Sequence, residues 1–477
     1  MVPVYNITET DMDLLTPNLI NNSKTPLYQQ LYSYIKHEIQ NGKLPYNSKL
    51  PSKRKLSSHL NLSQNTIQSA YDQLIEEGYI VSAERKGYYI ANIENIIDIK
   101  PTAISISAPA EKAKAKARYD FSYQGVDHSS FPFNTWRKLS REVINEYDIN
   151  FLQATHPQGY LPLRAAISRY LYQSRGVLCN ENQIIISSGT EFLLQILIQL
   201  FGDETIYGLE NPGFEKLSQL FSANKASFVP IELDNHGMLP AAITSEDANI
   251  ICVTPAHQFP TGNIMPIKRR LQLLKWASEK ADRYIIEDDY DSEFKYSGKP
   301  IPALQGLDSN QKVVYMGTFS KSLAPTIRIS YMVLPSVLLE KYKKLLSYII
   351  CPVPFMEQKL LYRFIQDGYF DRHLNKMRTI YKKKRELLVS SLNALNIPIE
   401  ILGADSGLHL SIEVKNQMNE SELVEAAAQK GVTVYPLSRY YSAQVSKSSS
   451  PIILLGYATI LESEIPQAVY LLGEAWK

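Results

Sequence analysis

The segment GTFSKSLAPTIRIS, residues 317–330, sets Ser320 beside Lys321 and places Arg328 a few positions beyond the lysine. A lysine amine can add to an aldehyde, while a hydroxyl and a guanidinium together suit a phosphate. A lone Ser-Lys pair says little, because lysine is common on surfaces. Three further segments change that. In YIIEDDYDSEF an apolar β-rich run ends in Asp288 and Tyr290, two positions apart and so on one face of an extended chain. In IIISSGTEFLLQ, Gly189 and Thr190 fall where a strand gives way to a helix, which offers free amides to an anion. ENPGF puts Phe214 on a turn, and VTPAHQFPTG supplies another loop after a strand. Each residue has a bland alternative: Asp288 as a strand-end cap, Phe214 as core, Arg328 as a surface charge. The ordered set outweighs those alternatives, because together these are the parts that pyridoxal 5'-phosphate needs. Lys321 would form a Schiff base with its aldehyde, and Asp288 would keep the pyridine nitrogen protonated. Tyr290 would donate to the phenolic oxygen. Ser320, Thr190, the Gly189–Thr190 amides and Arg328 would hold the phosphate, and Phe214 would stack on the ring.

Such a site needs a scaffold, and the pattern from about residue 119 onward supplies one. Seven short β-rich runs occur, at 183–187, 205–209, 226–230, 249–253, 283–287, 312–316 and 330–334. Helical patterns fall between several of them, as at 190–201 and 266–280, which predicts an α/β domain with a mostly parallel sheet. From about 350 a long helical stretch is followed by strands near 407–413, 432–435 and 452–457 and a helix at 463–474, the pattern of a smaller α+β lobe. Residues 92–118 lack an apolar period and read as a linker. At 477 residues the chain is long enough for about three domains. With 44% hydrophobic and 21% charged residues it is neither collagenous nor disordered. No uncharged apolar run approaches the ~18 residues of a spanning helix, and the acidic N-terminus does not resemble a signal peptide. Cys179, Cys252 and Cys351 are too far apart for a zinc or disulfide pattern, so no metal is expected and a cytoplasmic location is the default.

Residues 24–91 differ in charge: from Lys24 to Ile90, nine Lys/Arg face five Asp/Glu, although the whole chain is only +2. Leu27, Leu31, Ile35 and Ile39 mark one helix face. Ser52 caps a second helix carrying Leu56 and Leu60, and Ser63 caps a third carrying Ile67, Ala70, Tyr71, Leu74 and Ile75. Two β-rich segments then flank Ala83–Gly87, a hairpin tipped by Arg85, Lys86 and Gly87. This predicts an all-α, winged helix-turn-helix domain. Ser63, Gln64, Asn65, Thr66 and Gln68 begin the helix that would read base edges of double-stranded promoter DNA, with Lys53, Arg54, Arg85 and Lys86 near phosphates or the minor groove.

The run LPSKRKLSSHLNLSQNTIQSAYDQLIEEGYIVSAERKGYYI resembles the winged-helix domain of the GntR superfamily, although Gln64 and Gln68 stand where that family commonly has basic residues. From about 120 to 477 the chain resembles fold-type I aminotransferases, with HPQGYLPLRAAISRYL at 156–171 as a further match. A GntR-type head on an aminotransferase-like body is the layout of MocR-family regulators. That resemblance implies a homodimer and a small-molecule effector, either pyridoxal phosphate itself or an amino-acid-like amine. It also implies that Arg439, in YPLSRYY, and Lys216 contact an effector carboxylate. Lys216 replaces an arginine and lacks its bidentate fork, which weakens the case for GABA as effector. Phe259 stands where aminotransferases have an asparagine, which weakens a catalytic reading. The expected function is therefore a transcription regulator that senses rather than turns over its ligand. A working aminotransferase and a mere dimerisation scaffold are the alternatives.

Overall fold

The computed structural model describes residues 15–20, 23–92, 117–145, 149–296, 302–442 and 451–477. The chain divides into two compact units, Met1–Lys112 and Ala113–Lys477. The expected linker, 92–118, lies outside the described residues except at its ends.

In the first unit, α1 (Leu27–Gln40), α2 (Lys53–Leu60) and α3 (Gln64–Glu76) surround one core built on Leu31, Ile35, Leu56, Ile67 and Leu74. The caps read from the sequence are made: Ser52 accepts from the Lys55 amide and Ser63 from the Thr66 amide. Asn61, at φ 54°, ends α2 in the left-handed region. β2 (Ile80–Ala83) and β3 (Gly87–Ile90) form the hairpin. A two-residue strand, β1 (Lys49–Leu50), pairs with β3 and completes a three-stranded wing that the sequence pattern was too short to reveal.

The second unit opens with β4 (Tyr119–Asp120) and α4 (Phe133–Asn145), and α5 (Leu161–Arg175) leads into a large sheet. Its strands are β5 (Ile184–Ser187), β6 (Ile206–Asn211), β7 (Ser227–Asp234), β8 (Gly237–Met238), β9 (Ile250–Val253), β10 (Tyr284–Asp289), β11 (Val313–Thr318) and β12 (Ser330–Val333). The spatial order is β5-β12-β11-β10-β9-β6-β7-β8. β11, β10, β9, β6 and β7 run parallel, with β12 and β8 antiparallel to their neighbours. The connecting helices are α6 (Thr190–Phe201), α7 (Glu215–Ala223), α8 (Pro240–Ser245), α9 (Ile267–Ser278) and α10 (Ser336–Leu345). Both faces of the sheet are buried, which explains its unbroken apolar runs. Ile185 points to Leu193 and Leu197 of α6, whereas Ile184 and Ile186 join Leu163 and Ile167 of α5. Ile251 and Ile285 pack with Leu273 and Ala277 of α9.

Next come α11 (Phe355–Gln366) and the 25-residue α12 (Tyr369–Asn393). The small lobe adds β13 (Ile399–Leu402), β14 (His409–Val414), α13 (Glu420–Gln429), β15 (Val432–Thr433), β16 (Tyr435–Pro436), β17 (Ile452–Gly456) and α14 (Ile465–Ala475). Its sheet is antiparallel in the order β13-β14-β17-β16. The change of lobe does not fall near 350. Leu360, Leu361 and Phe364 of α11 and Phe370 and Leu374 of α12 belong to the large-lobe core, while Met377, Tyr381 and Leu388 of the same α12 belong to the small-lobe core. Tyr119 and Phe121 also pack in the small lobe, where β4 pairs in parallel with β15. Among the described residues no helix is long and apolar enough to cross a membrane.

Candidate functional site

The carboxyl ends of β10 and β11 and the N-terminus of α6 converge on a cavity of about 330 Å³. This is where ligands gather in sheets of this topology. Its walls include Gly189, Thr190, Phe214, Asp288, Tyr290, Ser320, Lys321 and Arg328, the eight residues that the sequence motifs assign to a cofactor, together with Lys216. Tyr123, Glu191, Thr318 and Ser330 complete much of the lining.

Lys321 follows β11 in a tight turn, and its ammonium donates to the carbonyl of Tyr123. Burial pulls its pKa down to about 8; the negative charge of Asp291 opposes this and the positive charge of Lys216 adds to it. Asp288, near the end of β10, is pushed up to about 7, first by burial and then by Asp289, Glu210, Asp291 and Glu191. Its Oδ1 is buried with no hydrogen-bond partner. An orphaned carboxylate oxygen of this kind fits a cationic N–H in the cavity.

The end of the cavity at α6, where the sequence motifs expect a phosphate, is built on a glycine. Gly189 sits at φ 94°, and a Cβ there would lie 2.1 Å from Nη2 of Arg328, so only glycine lets the guanidinium come this close. Thr190 opens α6, whose first-turn amides face the same space. Arg328, itself at φ 52°, donates to Oε2 of Glu191 at 2.8 Å. The amide of Ser320 donates to Oγ1 of Thr318. Glu191 is held below the usual carboxylate range: burial works to raise it, but its own backbone amide, Arg328 and Lys216 outweigh that effect.

Aromatic rings close the other side. Phe214 stacks on Phe259, with centroids 4.0 Å apart and planes 9° apart, so one face of the ring expected to cover a cofactor is already taken. Phe259 is fully buried and also meets Tyr123 and Tyr440. Arg439 is not on this cavity. It lines an adjoining one of about 580 Å³ that shares Phe214, Leu217 and Asp288 with the first, and its Nε donates to Oε2 of Glu215 at 3.0 Å.

Several residues of the site carry no signal in the sequence motifs. Tyr123 lies 198 positions from the lysine whose proton it accepts, and nothing local marks it. Glu191 is visible in SSGTEF, but an acid beside an expected phosphate cradle is not foreseen from the motif. Asp291 directly follows Tyr290 in DYDSEF, but His257, within AHQFPTG, is brought beside both only by the fold.

On the first unit, Gln64, Asn65, Arg54, Arg85 and Lys86 are exposed, and Thr66, Gln68, Lys53 and Gly87 are half-buried. The Ser63 and Thr66 hydroxyls bond each other at 2.8 Å. Gln68 is held at both ends, accepting from Lys53 and donating to Asp72. At the wing tip Arg85 has φ 60° and Gly87 φ 111°, the reversal that projects both cations.

Comparison with known proteins agrees with this two-part build. Residues 27–90 match the gntR family of bacterial regulatory proteins, and residues 123–449 match aminotransferase class I and II. The HTH-type transcriptional regulator YdeL of Bacillus subtilis is 42% identical over 97% of this chain and 99% of its own length. The probable rhizopine catabolism regulatory protein MocR of Rhizobium meliloti is 31% identical over 96% of this chain and 95% of its own. Among solved structures, Pyrococcus horikoshii kynurenine aminotransferase superposes with a TM-score of 0.66 at 25% identity, over 76% of this chain and 91% of that one. A DNA-binding head and an aminotransferase fold thus share one polypeptide, and the chain belongs to the MocR family of HTH-type transcriptional regulators.

Proposed function

We propose that this regulator holds pyridoxal phosphate in the cavity at Lys321 and adjusts its grip on promoter DNA to the supply of that cofactor or of an amino-acid-like amine. The observation that carries this reading is the meeting of three features in one cavity. They are an amine with a depressed pKa, a buried carboxylate oxygen without a partner, and a glycine-floored anion cradle. When bound, the cofactor supplies an aldehyde for which amines compete and a ring that draws electrons. Lys321 would carry the aldehyde carbon, and Asp288 would accept from the ring nitrogen. Tyr290 would donate to the phenolic oxygen. Ser320, Thr190, Arg328 and the Gly189–Thr190 amides would hold the phosphate, and the free face of Phe214 would cover the ring. Lys216 and, once released from Glu215, Arg439 are the cations available to an effector's carboxylate.

The head would bind double-stranded promoter DNA through Ser63, Gln64, Asn65, Thr66 and Gln68 on α3, through Lys53 and Arg54, and through Arg85, Lys86 and Gly87 on the wing. A homodimer in the cytoplasm is the expected working form. Ligand control of DNA binding requires a ligand that prefers one of two arrangements of the protein. A working aminotransferase draws on the same intact pair of Lys321 and Asp288. Steady release of keto acid over many turnovers would favour it over a sensor.

The deciding experiment is borohydride reduction of the protein after incubation with pyridoxal phosphate, followed by peptide mapping. A pyridoxyl group on Lys321, absent from Lys321→Ala, is expected. An adduct on another lysine, or none, would overturn the assignment.

A further inference from the structure

Beside Tyr290 lies a fully buried group of polar side chains. His257 comes from the loop after β9, Asp291 follows β10, and His409 opens β14 of the small lobe. Their exposures are 1%, 1% and 2%. Nδ1 of His257 lies 3.0 and 3.2 Å from the two carboxylate oxygens of Asp291 and 3.1 Å from the hydroxyl of Tyr290. The Leu408 amide donates to the same carboxylate at 3.2 Å. A Cβ on Gly407 would fall 2.0 Å from the His257 ring and 2.5 Å from Asp291, so the backbone closes tightly over the pair.

These contacts order the hydrogens around Asp291. Its carboxylate already accepts from the Leu408 amide, and accepting from His257 as well it places the proton between them on Nδ1. With Nδ1 acting as donor, the Tyr290 hydroxyl cannot donate to it and can only accept. Its own hydrogen must then point the other way, into the cavity it shares with Lys321 and Asp288. Phe259, buried alongside, offers no competing polar group. His409 lies against His257 with ring centroids 4.4 Å apart and planes tilted by 41°. Burial first, and then its neighbours His257 and Lys321, hold its pKa well below the usual histidine value.

We propose that His257 and Asp291 are positioning residues that hold the Tyr290 phenol as a one-way donor into the cavity, toward the phenolic oxygen of the cofactor. The proposal rests on the pyridoxal phosphate reading above. His257, Asp291 and His409 offer donor atoms within 4.8 Å of one another, the count and spacing of a metal site. A metal ion ligated by Nδ1 of His257 would take the place of the proton there, so at that atom the two readings exclude each other.

The test uses the full-length chain reconstituted with pyridoxal phosphate at one fixed pH. It reads the ratio of the visible to the near-ultraviolet absorption band, which reports the protonation of the chromophore. Tyr290→Phe sets the benchmark for losing the donor. His257→Leu removes the Nδ1 hydrogen. Asp291→Asn keeps the volume but frees His257 to adopt the other tautomer, as when the aspartate of a serine-protease triad is replaced by asparagine. Both are expected to move the ratio in the direction of Tyr290→Phe by roughly three- to tenfold, equivalent to about half to one pKa unit. His257→Asn, whose side-chain amide can stand in for Nδ1–H, should return the wild-type ratio. If Asp291→Asn does not fold, the contrast between His257→Leu and His257→Asn decides alone. A wild-type ratio in His257→Leu at full cofactor occupancy would overturn the proposal, as would stoichiometric zinc in the purified protein. No cofactor band in the wild type would instead sink the reading beneath it.

Discussion

Lys321 is an amine whose charge the cavity disfavours, and that has a measurable cost. Its folded pKa of about 8 lies below the ordinary lysine value, so the unfolded chain binds more protons between about pH 8 and 10.5. Stability of the cofactor-free protein must then rise with pH through that window, and below pH 8 the full penalty applies. Lys321→Met is accordingly expected to stabilise the cofactor-free protein by about 3 kcal/mol at pH 7, with the gain fading toward pH 10.5. Urea melts at several pH values would check this, and a pH-independent gain would contradict it. Glu191 poses the opposite problem, since its carboxylate already occupies Arg328. A phosphate arriving there must share the guanidinium with a like charge. Glu191→Gln should tighten cofactor binding roughly three- to tenfold, the scale of a partly exposed ion pair. Absorbance titration would show it, and weaker binding would mean that Glu191 orients Arg328 instead.

Elements are legible in the sequence in proportion to how completely tertiary packing enforces their pattern. The seven apolar runs form strands because successive residues feed cores on opposite faces, as Ile184, Ile185 and Ile186 do. α6 begins at Thr190, as the GT-plus-apolar run implies. β1, β4 and β15 have two residues each, too few for any periodicity. The lobe change is invisible in sequence because α12 keeps one helical pattern while its buried face passes from one core to the other. Of the site, the local motifs can be read. Tyr123, His257, Asp291 and His409 cannot be read together, because they meet only through folding. The wing yields its own prediction. Arg85→Ala and Lys86→Ala, at an exposed tip, should weaken DNA binding with little sequence preference and reduce the salt slope by about one for each phosphate left without its cation. Binding isotherms across a salt series would test it, and an unchanged slope would place the DNA elsewhere.

At the scale of the whole molecule, a head that reads DNA and a body that holds a ligand matter only if their equilibria are linked. Linkage is reciprocal: if pyridoxal phosphate changes DNA affinity, DNA must change pyridoxal phosphate affinity by the same factor. The expected outcome is a matched pair of shifts in the wild type, both absent in Lys321→Ala, measured by fluorescence anisotropy of DNA and by cofactor titration with and without DNA. A one-sided shift would rule out simple coupling between two equilibrium states.

α12 limits how such a signal can begin. It spans about 37 Å at 1.5 Å per residue, with its first turns seated in one core and its later turns in the other. A rod clamped at both ends resists sliding and stretching far more than twisting about its own long axis. Any closing stroke of the small lobe should therefore carry the later turns of α12 with it as a slight roll, because one continuous helix belongs to both cores.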